Sequence, residues 1–237
     1  MTEPSTLEDR IQASKPLDEG WTNRVYETSE GTIIKVFSTH IFEAVIFGLA
    51  DILHGKPNFP FRRERLQKEI EVKNSLTESG YEVPEVIEVY PHAIEMEKVE
   101  GRTLSELVED AEIEEVQRLG RRTGELISGL HEKDFSLGDA TFENFYIHDE
   151  KICTIDHEYS SMSSDLLDKE RDVIHLFSDA LEQETGKYKA FREGFEEAYR
   201  KFNRPEMVLA VFFSVLTSIL GLQPYRIKRT LSNTVKF

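Results

Sequence analysis

The sequence predicts an α+β fold of two lobes: a small β-rich N-terminal lobe with one or two helices, followed by a mostly helical C-terminal lobe. Two pairs of β-like runs, at 20–37 and 85–97, precede residue 100, and β-branched residues dominate the first pair. Helical periodicity dominates the remainder, most clearly over 113–132. The length of 237 residues suits one bilobal domain or two small ones.

Composition and charge exclude several classes of function. A formal net charge of −16 disfavours nucleic-acid binding across the whole surface, because such binding needs basic faces. The single cysteine, Cys153, excludes an internal disulfide and most zinc sites and fits a reducing cytoplasm. The polar first ten residues do not resemble a signal peptide. The apolar run 207–222 is shorter than the roughly 18 to 20 residues that span a bilayer, so we expect a buried helix and no membrane insertion.

We assign residues 1–15 to a flexible lead-in and 16–100 to the N-terminal lobe. Two strands, 20–27 and 32–37, flank a turn at 29–31. A helical insertion at 41–53 follows, which either packs on this lobe or offers a partner surface, before Gly and Pro residues end it. A charged helix over 62–79 and a hairpin of strands 85–90 and 93–97 complete the lobe.

Residues 101–237 form the predicted C-terminal lobe. Thr103 or Ser105 can cap a helix that starts there, and the amphipathic helix 113–132 forms the spine of the lobe. We expect further helices after Ser160, over 188–202 and over 207–222. The loop 137–145 and the short strand run 152–156 lie between these helices and contain the most informative residues.

The loop and the strand hold three polar residues whose types suit phosphoryl transfer. Asp139 and Asn144 follow the pattern D-x-x-x-x-N, and Asp156 comes directly after the β-like run. An aspartate on such a loop can accept the proton of an attacking hydroxyl. The asparagine and the second aspartate offer the hard oxygen ligands that Mg²⁺ prefers on nucleotide phosphates. The sequence therefore predicts an ATP- and Mg²⁺-dependent site.

This stretch resembles the protein-kinase-like superfamily, in particular its compact atypical branches: the Bud32/RIO group and the lipopolysaccharide-core, aminoglycoside and choline phosphotransferases. Gly138-Asp139 with Asn144 is similar to their G-D-x-x-x-x-N loop, and Asp156 stands where they carry the I-D-F-G or I-D-F-E aspartate. Two positions depart from the pattern. Leu137 replaces a usual histidine, and His157 replaces a usual aromatic residue.

The resemblance implies a bilobal protein-kinase-like fold and a nucleotide site in the N-terminal lobe. Lys35, at the end of an I-x-K run, matches the lysine that grips the α- and β-phosphates. Glu69 is the expected partner of Lys35, chosen by register over its helical neighbours Glu64 and Glu71. Gly20 alone remains of the glycine-rich phosphate loop. ATP is expected to lie between the two lobes.

Further residues acquire roles from the same resemblance. The run M-E-x-x-x-G-x-x-L resembles the hinge, so the backbones of Glu97 and Val99 would read the adenine edge. Asn144 and Asp156 would hold Mg²⁺, and Asp139 would orient the hydroxyl and take its proton. Asp172 resembles the aspartate that anchors the catalytic loop, and we assign it a structural role. His131 is also interpreted as structural.

These observations predict an ATP-dependent phosphotransferase, foremost an atypical serine/threonine protein kinase of the Bud32/RIO type. A small-molecule or glycan kinase is the first alternative, because Asp156-His157-Glu158-Tyr159-Ser160-Ser161 resembles the segment of choline-type kinases. A nucleotide-binding pseudokinase scaffold is the second, since Leu137 and the degenerate glycine loop depart from active enzymes. The expected partner is a hydroxyl-bearing acceptor, either protein or small molecule. Helix 41–53 and the basic tail 223–237 are candidate protein-binding surfaces, and only the tail suits nucleic acid.

Overall fold

The computed structural model describes residues 6–19, 23–37 and 62–199. The chain divides into two compact units, Met1–Val99 and Glu100–Phe237. Several sequence predictions lie outside the described residues: Gly20, the insertion helix 41–53, the apolar helix 207–222 and the basic tail 223–237. Among the residues that are described, no helix has both the length and the apolar character needed to cross a membrane.

The first unit is built on an antiparallel sheet of five strands in the order β1-β2-β3-β5-β4. The strands are β1 (Lys15–Glu19), β2 (Asn23–Glu27), β3 (Thr32–Phe37), β4 (Val86–Val89) and β5 (Ala93–Glu97). The turn between β2 and β3 contains Gly31 with φ +80, a left-handed backbone that glycine adopts without steric cost. Both predicted strand pairs are present in the described residues.

A short helix, α1 (Leu7–Gln12), lies within the range 1–15 that the sequence assigns to a flexible lead-in. The Thr6 side chain caps it by accepting from the Asp9 N–H. Leu7 is buried in a cluster with Ile34 and Ala93. Arg10 reaches the sheet, where its guanidinium lies 2.5 Å from a carboxylate oxygen of Glu95. Contacts with the sheet thus hold this helix in place. Such contacts cannot be predicted from the periodicity of a six-residue segment.

The charged helix predicted over 62–79 is α2 (Arg62–Glu78). Its buried residues are Arg65, Leu66, Glu69, Val72, Lys73 and Leu76. Leu66 packs in a core cluster with Phe37, Ile94 and Met96. The buried face of α2 therefore carries three charged side chains at four-residue spacing, beside its three apolar ones.

The second unit is mainly helical. Its helices are α3 (Leu104–Asp110), α4 (Ile113–Glu132), α5 (Leu166–Leu181) and α6 (Thr185–Ala198). Its strands are β6 (Arg102–Thr103), β7 (Phe135–Ser136), β8 (Phe145–His148), β9 (Lys151–Thr154) and β10 (Ser161–Met162), and a 3₁₀ turn spans Phe142–Asn144. Strands β6, β8 and β9 form one small sheet, and β7 pairs with β10. With a β-rich first unit and a helical second one, the predicted α+β class is confirmed.

Helix α4 spans the residues that periodicity predicts and packs closely against α6. The approach is tightest at Gly194 of α6, where a Cβ atom would lie 2.0 Å from the backbone oxygen of Gln117 on α4. Thr103 caps α3 through a capping box with Glu106, which selects it over Ser105. Helix α6 begins at Thr185, three residues before the predicted start.

Candidate functional site

In the first unit, Lys35 on β3 and Glu69 on α2 form a buried ion pair. The Lys35 Nζ atom lies 2.6 Å from Glu69 Oε2, and the two side chains are only 6% and 1% exposed. The Lys35 ammonium also lies over the Phe37 ring, 5.0 Å from its centroid. Of the other acids considered on α2, Glu64 and Glu71 are exposed. A pair of buried charges contributes little net stability, so its presence favours a functional use.

In the second unit, Asp172 on α5 binds the backbone of the two loop residues that precede Asp139. Its Oδ1 atom accepts from the Gly138 N–H at 2.7 Å, and its Oδ2 atom accepts from the Leu137 N–H at 2.8 Å. The Nε2 atom of His131 lies 3.0 Å from the same Oδ2. Asp172 and His131 are fully buried. The structural roles predicted for these two residues are confirmed.

The loop must approach the segment after Asp156 very closely. Gly138 has φ +74, and a Cβ atom there would lie 2.2 Å from the carbonyl oxygen of Tyr159. The Ser160 hydroxyl donates to the Leu137 carbonyl at 2.9 Å. His157, which departs from the family pattern, is fully buried, with Nε2 3.0 Å from the Thr154 carbonyl oxygen. Leu137, at the start of the loop, and His157 thus both occupy interior positions.

The β8–β9 hairpin places Asn144 and Asp156 at the same end. The last register pair of the hairpin is Phe145 with Thr154. Asn144 directly precedes Phe145, and Asp156 lies two residues after Thr154. The Ile155 N–H donates to the Asn144 carbonyl at 3.1 Å, which extends the pairing by one bond. Asp156 has φ 61, a left-handed conformation that a residue other than glycine adopts at some cost.

Asn144 also contacts the loop aspartate. Its Nδ2 atom donates to the Asp139 carbonyl at 2.8 Å and lies 3.5 Å from Asp139 Oδ2. With the amide nitrogen committed to Asp139, the side-chain oxygen is the atom of Asn144 that suits a cation. The structure therefore brings Asp139 and Asn144 into contact and connects Asn144 to the residue before Asp156.

Two further residues of α5 face this loop, and sequence reasoning missed both. His175 Nδ1 lies 3.4 Å from Asp139 Oδ1. Asp179 accepts from the Phe142 N–H at 2.6 Å, and burial raises the pKa of its carboxyl from 3.8 to about 7. The Phe142 N–H and His175 lower that pKa, whereas Glu182 and Asp139 raise it. Their spacing from Asp172, three and seven positions on, is the signal that could have revealed a shared helix face.

The predicted hinge residues, Glu97 and Val99, lie at the end of the first unit. Glu97 ends β5, and its N–H donates to the Glu85 carbonyl at 3.0 Å. An adenine contact from Glu97 would therefore have to use its carbonyl group. Val99 is half-buried and is the last residue of the first unit.

The donor set of the second unit fits a hard divalent cation. Asn144 and Asp156 offer amide and carboxylate oxygens, the ligand types that Mg²⁺ takes when phosphates and water complete its shell. The Asp139 side chain is 20% exposed, so a hydroxyl can reach it. The arrangement can hold a metal-bound phosphate group and accept a proton beside it.

Known proteins are similar in sequence to part of this chain. No protein-family profile matches the chain. The chain is 33% identical over 143 residues to the KEOPS complex subunit Bud32 of Pyrococcus abyssi, covering 60% of this chain and 64% of the relative. It is 36% identical over 117 residues to the EKC/KEOPS complex subunit BUD32 of Encephalitozoon cuniculi, covering 49% and 57%. The chain thus spans less than two thirds of either relative.

Solved structures with the same fold are more distant in sequence. WaaP in complex with acyl carrier protein matches with a TM-score of 0.59 at 13% identity, covering 88% of this chain and 89% of WaaP. The ADP-bound aminoglycoside phosphotransferase APH(2'')-Ib also matches with a TM-score of 0.59, at 13% identity and coverages of 91% and 87%. The Rio2 kinase of Chaetomium thermophilum, in its ADP/Mg²⁺–phosphoaspartate complex, gives 0.51 at 15% identity, with coverages of 90% and 74%. The kinase-like fold and the resemblance to its compact atypical branch are confirmed.

Proposed function

We propose that this kinase-like protein is an ATP-dependent phosphotransferase, an atypical serine/threonine protein kinase of the Bud32/RIO type that transfers the γ-phosphate to a hydroxyl. The observation that carries the proposal is the grouping of Asp139, Asn144 and Asp156 by one loop and one hairpin of the second unit. The buried pair of Lys35 and Glu69 in the first unit supports it independently.

Each residue has a distinct task in this proposal. Lys35, oriented by Glu69, contacts the α- and β-phosphates of ATP. Asn144 and Asp156 hold Mg²⁺, which when bound neutralises charge on the phosphates. Asp139 orients the incoming hydroxyl and accepts its proton as the bond to phosphorus forms. The protein therefore contributes mainly position and electrostatics.

A separate part of the chain would bind the adenine base. We assign this task to the backbone of the hinge, using the carbonyl group of Glu97 and the backbone of Val99. Gly20 would cover the phosphates through its backbone N–H. These assignments rest on the sequence motif.

A protein acceptor is preferred because the Bud32 relatives are subunits of a complex. We therefore also propose at least one protein partner for this chain, and a reducing cytoplasm as its compartment, in line with its lone cysteine. A small-molecule acceptor is the second candidate. It is favoured by the fold that the chain shares with an aminoglycoside phosphotransferase.

Phosphoryl transfer from labelled ATP tests the proposal. The purified chain is incubated with Mg²⁺, γ-³²P-ATP and an extract of its source cells, and label is then measured in protein and in small molecules. We expect label in protein, and at least a 100-fold loss in Asp156→Asn, because metal-held phosphate is required for transfer (about 10³- to 10⁵-fold effects are typical of charge-stabilising groups at such sites). Asp149→Asn is the matched control, since the Asp149 side chain is 87% exposed.

The distribution of label decides between the candidates. Label in small molecules alone would replace the protein-kinase proposal with the small-molecule one. Stabilisation of the chain by Mg·ATP in a thermal-shift titration without any transfer would favour a nucleotide-binding scaffold. Full transfer by Asp156→Asn would contradict the assigned metal site.

A further inference from the structure

Helix α5 presents three polar residues to the loop that contains Asp139. Asp172, His175 and Asp179 lie three and four positions apart, so they share one face of the helix. Asp172 accepts from the backbone of Leu137 and Gly138, and Asp179 accepts from the backbone of Phe142. These two acids fix the path of the loop before and after Asp139.

His175 differs from its two neighbours because it faces a side chain. Its Nδ1 atom lies 3.4 Å from Asp139 Oδ1, while Asn144 Nδ2 lies 3.5 Å from Asp139 Oδ2. The two oxygens of the carboxylate are thus each approached by one nitrogen. A carboxylate contacted on both sides has a restricted rotation, which matters for a group that must meet a hydroxyl in one direction.

The imidazole of His175 is also incompletely paired. Its Nδ1 atom is buried and makes no hydrogen bond of good geometry within the described part of the chain. The side chain as a whole is 30% exposed, so it is not a packed core residue. A buried polar atom that lacks a hydrogen bond needs an explanation. A catalytic contact that tightens only when substrates bind is one that active sites commonly show.

We propose that His175 is a positioning residue for Asp139, whose Nδ1–H donates to Asp139 Oδ1 and holds the carboxylate in the orientation that receives the hydroxyl proton. This inference rests on the proposed function of Asp139 as the proton acceptor. His175 itself exchanges no proton with the substrate. It sets the direction of the carboxylate from the side opposite Asn144.

Matched substitutions separate this role from simple packing. His175→Leu keeps the approximate volume and removes the donor, so we expect kcat to fall by about 10- to 100-fold while KM for ATP stays within about twofold. His175→Asn restores an N–H near the position of Nδ1, and we expect it to recover most of kcat. His148→Leu is the control, because the His148 side chain is 58% exposed and lies outside the loop.

A second measurement needs no turnover. Imidazole ¹⁵N resonances of the full chain report the hydrogen bonding of His175 in the presence of Mg²⁺ and a non-hydrolysable ATP analogue. We expect Asp139→Ala to shift the His175 Nδ1 resonance and Asp149→Asn to leave it unchanged. If the wild-type chain is inactive but Asp139→Ala still shifts the His175 Nδ1 resonance, the proposed function is refuted and the contact of His175 with Asp139 stands. An unshifted resonance, or a His175→Leu chain with wild-type kcat, would overturn the role of His175.

Discussion

In the first unit the candidate site residue Lys35 is paired with another side chain, whereas in the second unit the loop around Asp139 is held through its backbone. The Lys35 ammonium pairs with the carboxylate of Glu69 at 2.6 Å. The loop around Asp139 depends on carboxylates of Asp172 and Asp179 that accept three backbone N–H groups.

The difference teaches how each region tolerates change. An ion pair is made by two side chains, so one substitution breaks it and leaves the other charge buried without a partner. A second substitution, of that remaining partner, removes the unpaired charge. Backbone donors cannot be substituted away, so a lost carboxylate leaves several N–H groups unsatisfied at once. We therefore expect the anchor of the loop to be the less replaceable of the two.

The largest effect is expected from Asp172→Ala. Asp172 is fully buried, and its loss leaves the Leu137 and Gly138 N–H groups and His131 Nε2 without their acceptor. We expect the free energy of unfolding to fall by about 4 kcal/mol, since each hydrogen bond to a charged group contributes about 1.5–3 kcal/mol and the losses are not additive. Urea denaturation followed by circular dichroism measures this.

Arg171→Ala provides the control for that substitution, because Arg171 is the exposed neighbour of Asp172 on the same helix. A loss below about 1 kcal/mol in Asp172→Ala would show that the loop is held by other contacts and would break the comparison.

A smaller loss is expected from Lys35→Met, about 3 kcal/mol, because the Glu69 carboxylate then remains buried without its ammonium partner. The double variant Lys35→Met/Glu69→Met should regain most of that stability and still fail to transfer phosphate. Denaturation and transfer assays on the three proteins measure both quantities.

Lys98→Met is the matched control for this prediction. Lys98 Nζ also lies 2.6 Å from a carboxylate, that of Glu27, but these side chains are 49% and 23% exposed. We expect little measurable change in stability, because solvent screens exposed pairs. Equal losses in the two lysine variants would mean that burial does not distinguish the pairs.

The smallest effect concerns Asp179 and depends on pH. Its folded-state pKa, about 7, lies above the ordinary value of 3.8, so between these values the folded chain binds more protons than the unfolded chain. The stability contribution of Asp179 therefore falls as pH rises through this window. Asp179→Asn keeps an acceptor for the Phe142 N–H and does not ionise.

As the pH rises from about 5 to about 8, we expect the free energy of unfolding of Asp179→Asn to gain about 2–3 kcal/mol relative to that of wild type, at 1.36 kcal/mol per pKa unit. Denaturation at the two pH values measures the gain, and Asp149→Asn, with its exposed side chain, should follow wild type. A gain that is the same at both pH values would show that Asp179 does not titrate in this window.

Local patterns predicted the parts of the structure that depend on local physics. Periodicity located α4, β-branched residues located the strands around Lys35, and alternation located the hairpin of β4 and β5. The capping box at Thr103 follows from residue types three positions apart. The loop aspartate and its anchor, Asp172, were predicted from their motif.

Contacts between distant segments could not be predicted in the same way. His175 and Asp179 meet a loop more than thirty residues earlier, and no motif marks them. Helix α1 owes its order to the sheet, through Leu7 and Arg10. The burial of Arg65 and Lys73 on α2 was likewise hidden, because charged residues at helical spacing usually indicate a solvated face.

The most direct measurement of the central claim is the single-turnover rate of γ-phosphoryl transfer from saturating Mg·ATP by Asp139→Asn, with nucleotide affinity determined on the same protein by calorimetry. If Asp139 receives the hydroxyl proton, the variant binds Mg·ATP as the wild type does and transfers phosphate at least about 100-fold more slowly. Equal transfer rates at equal affinity would contradict the account.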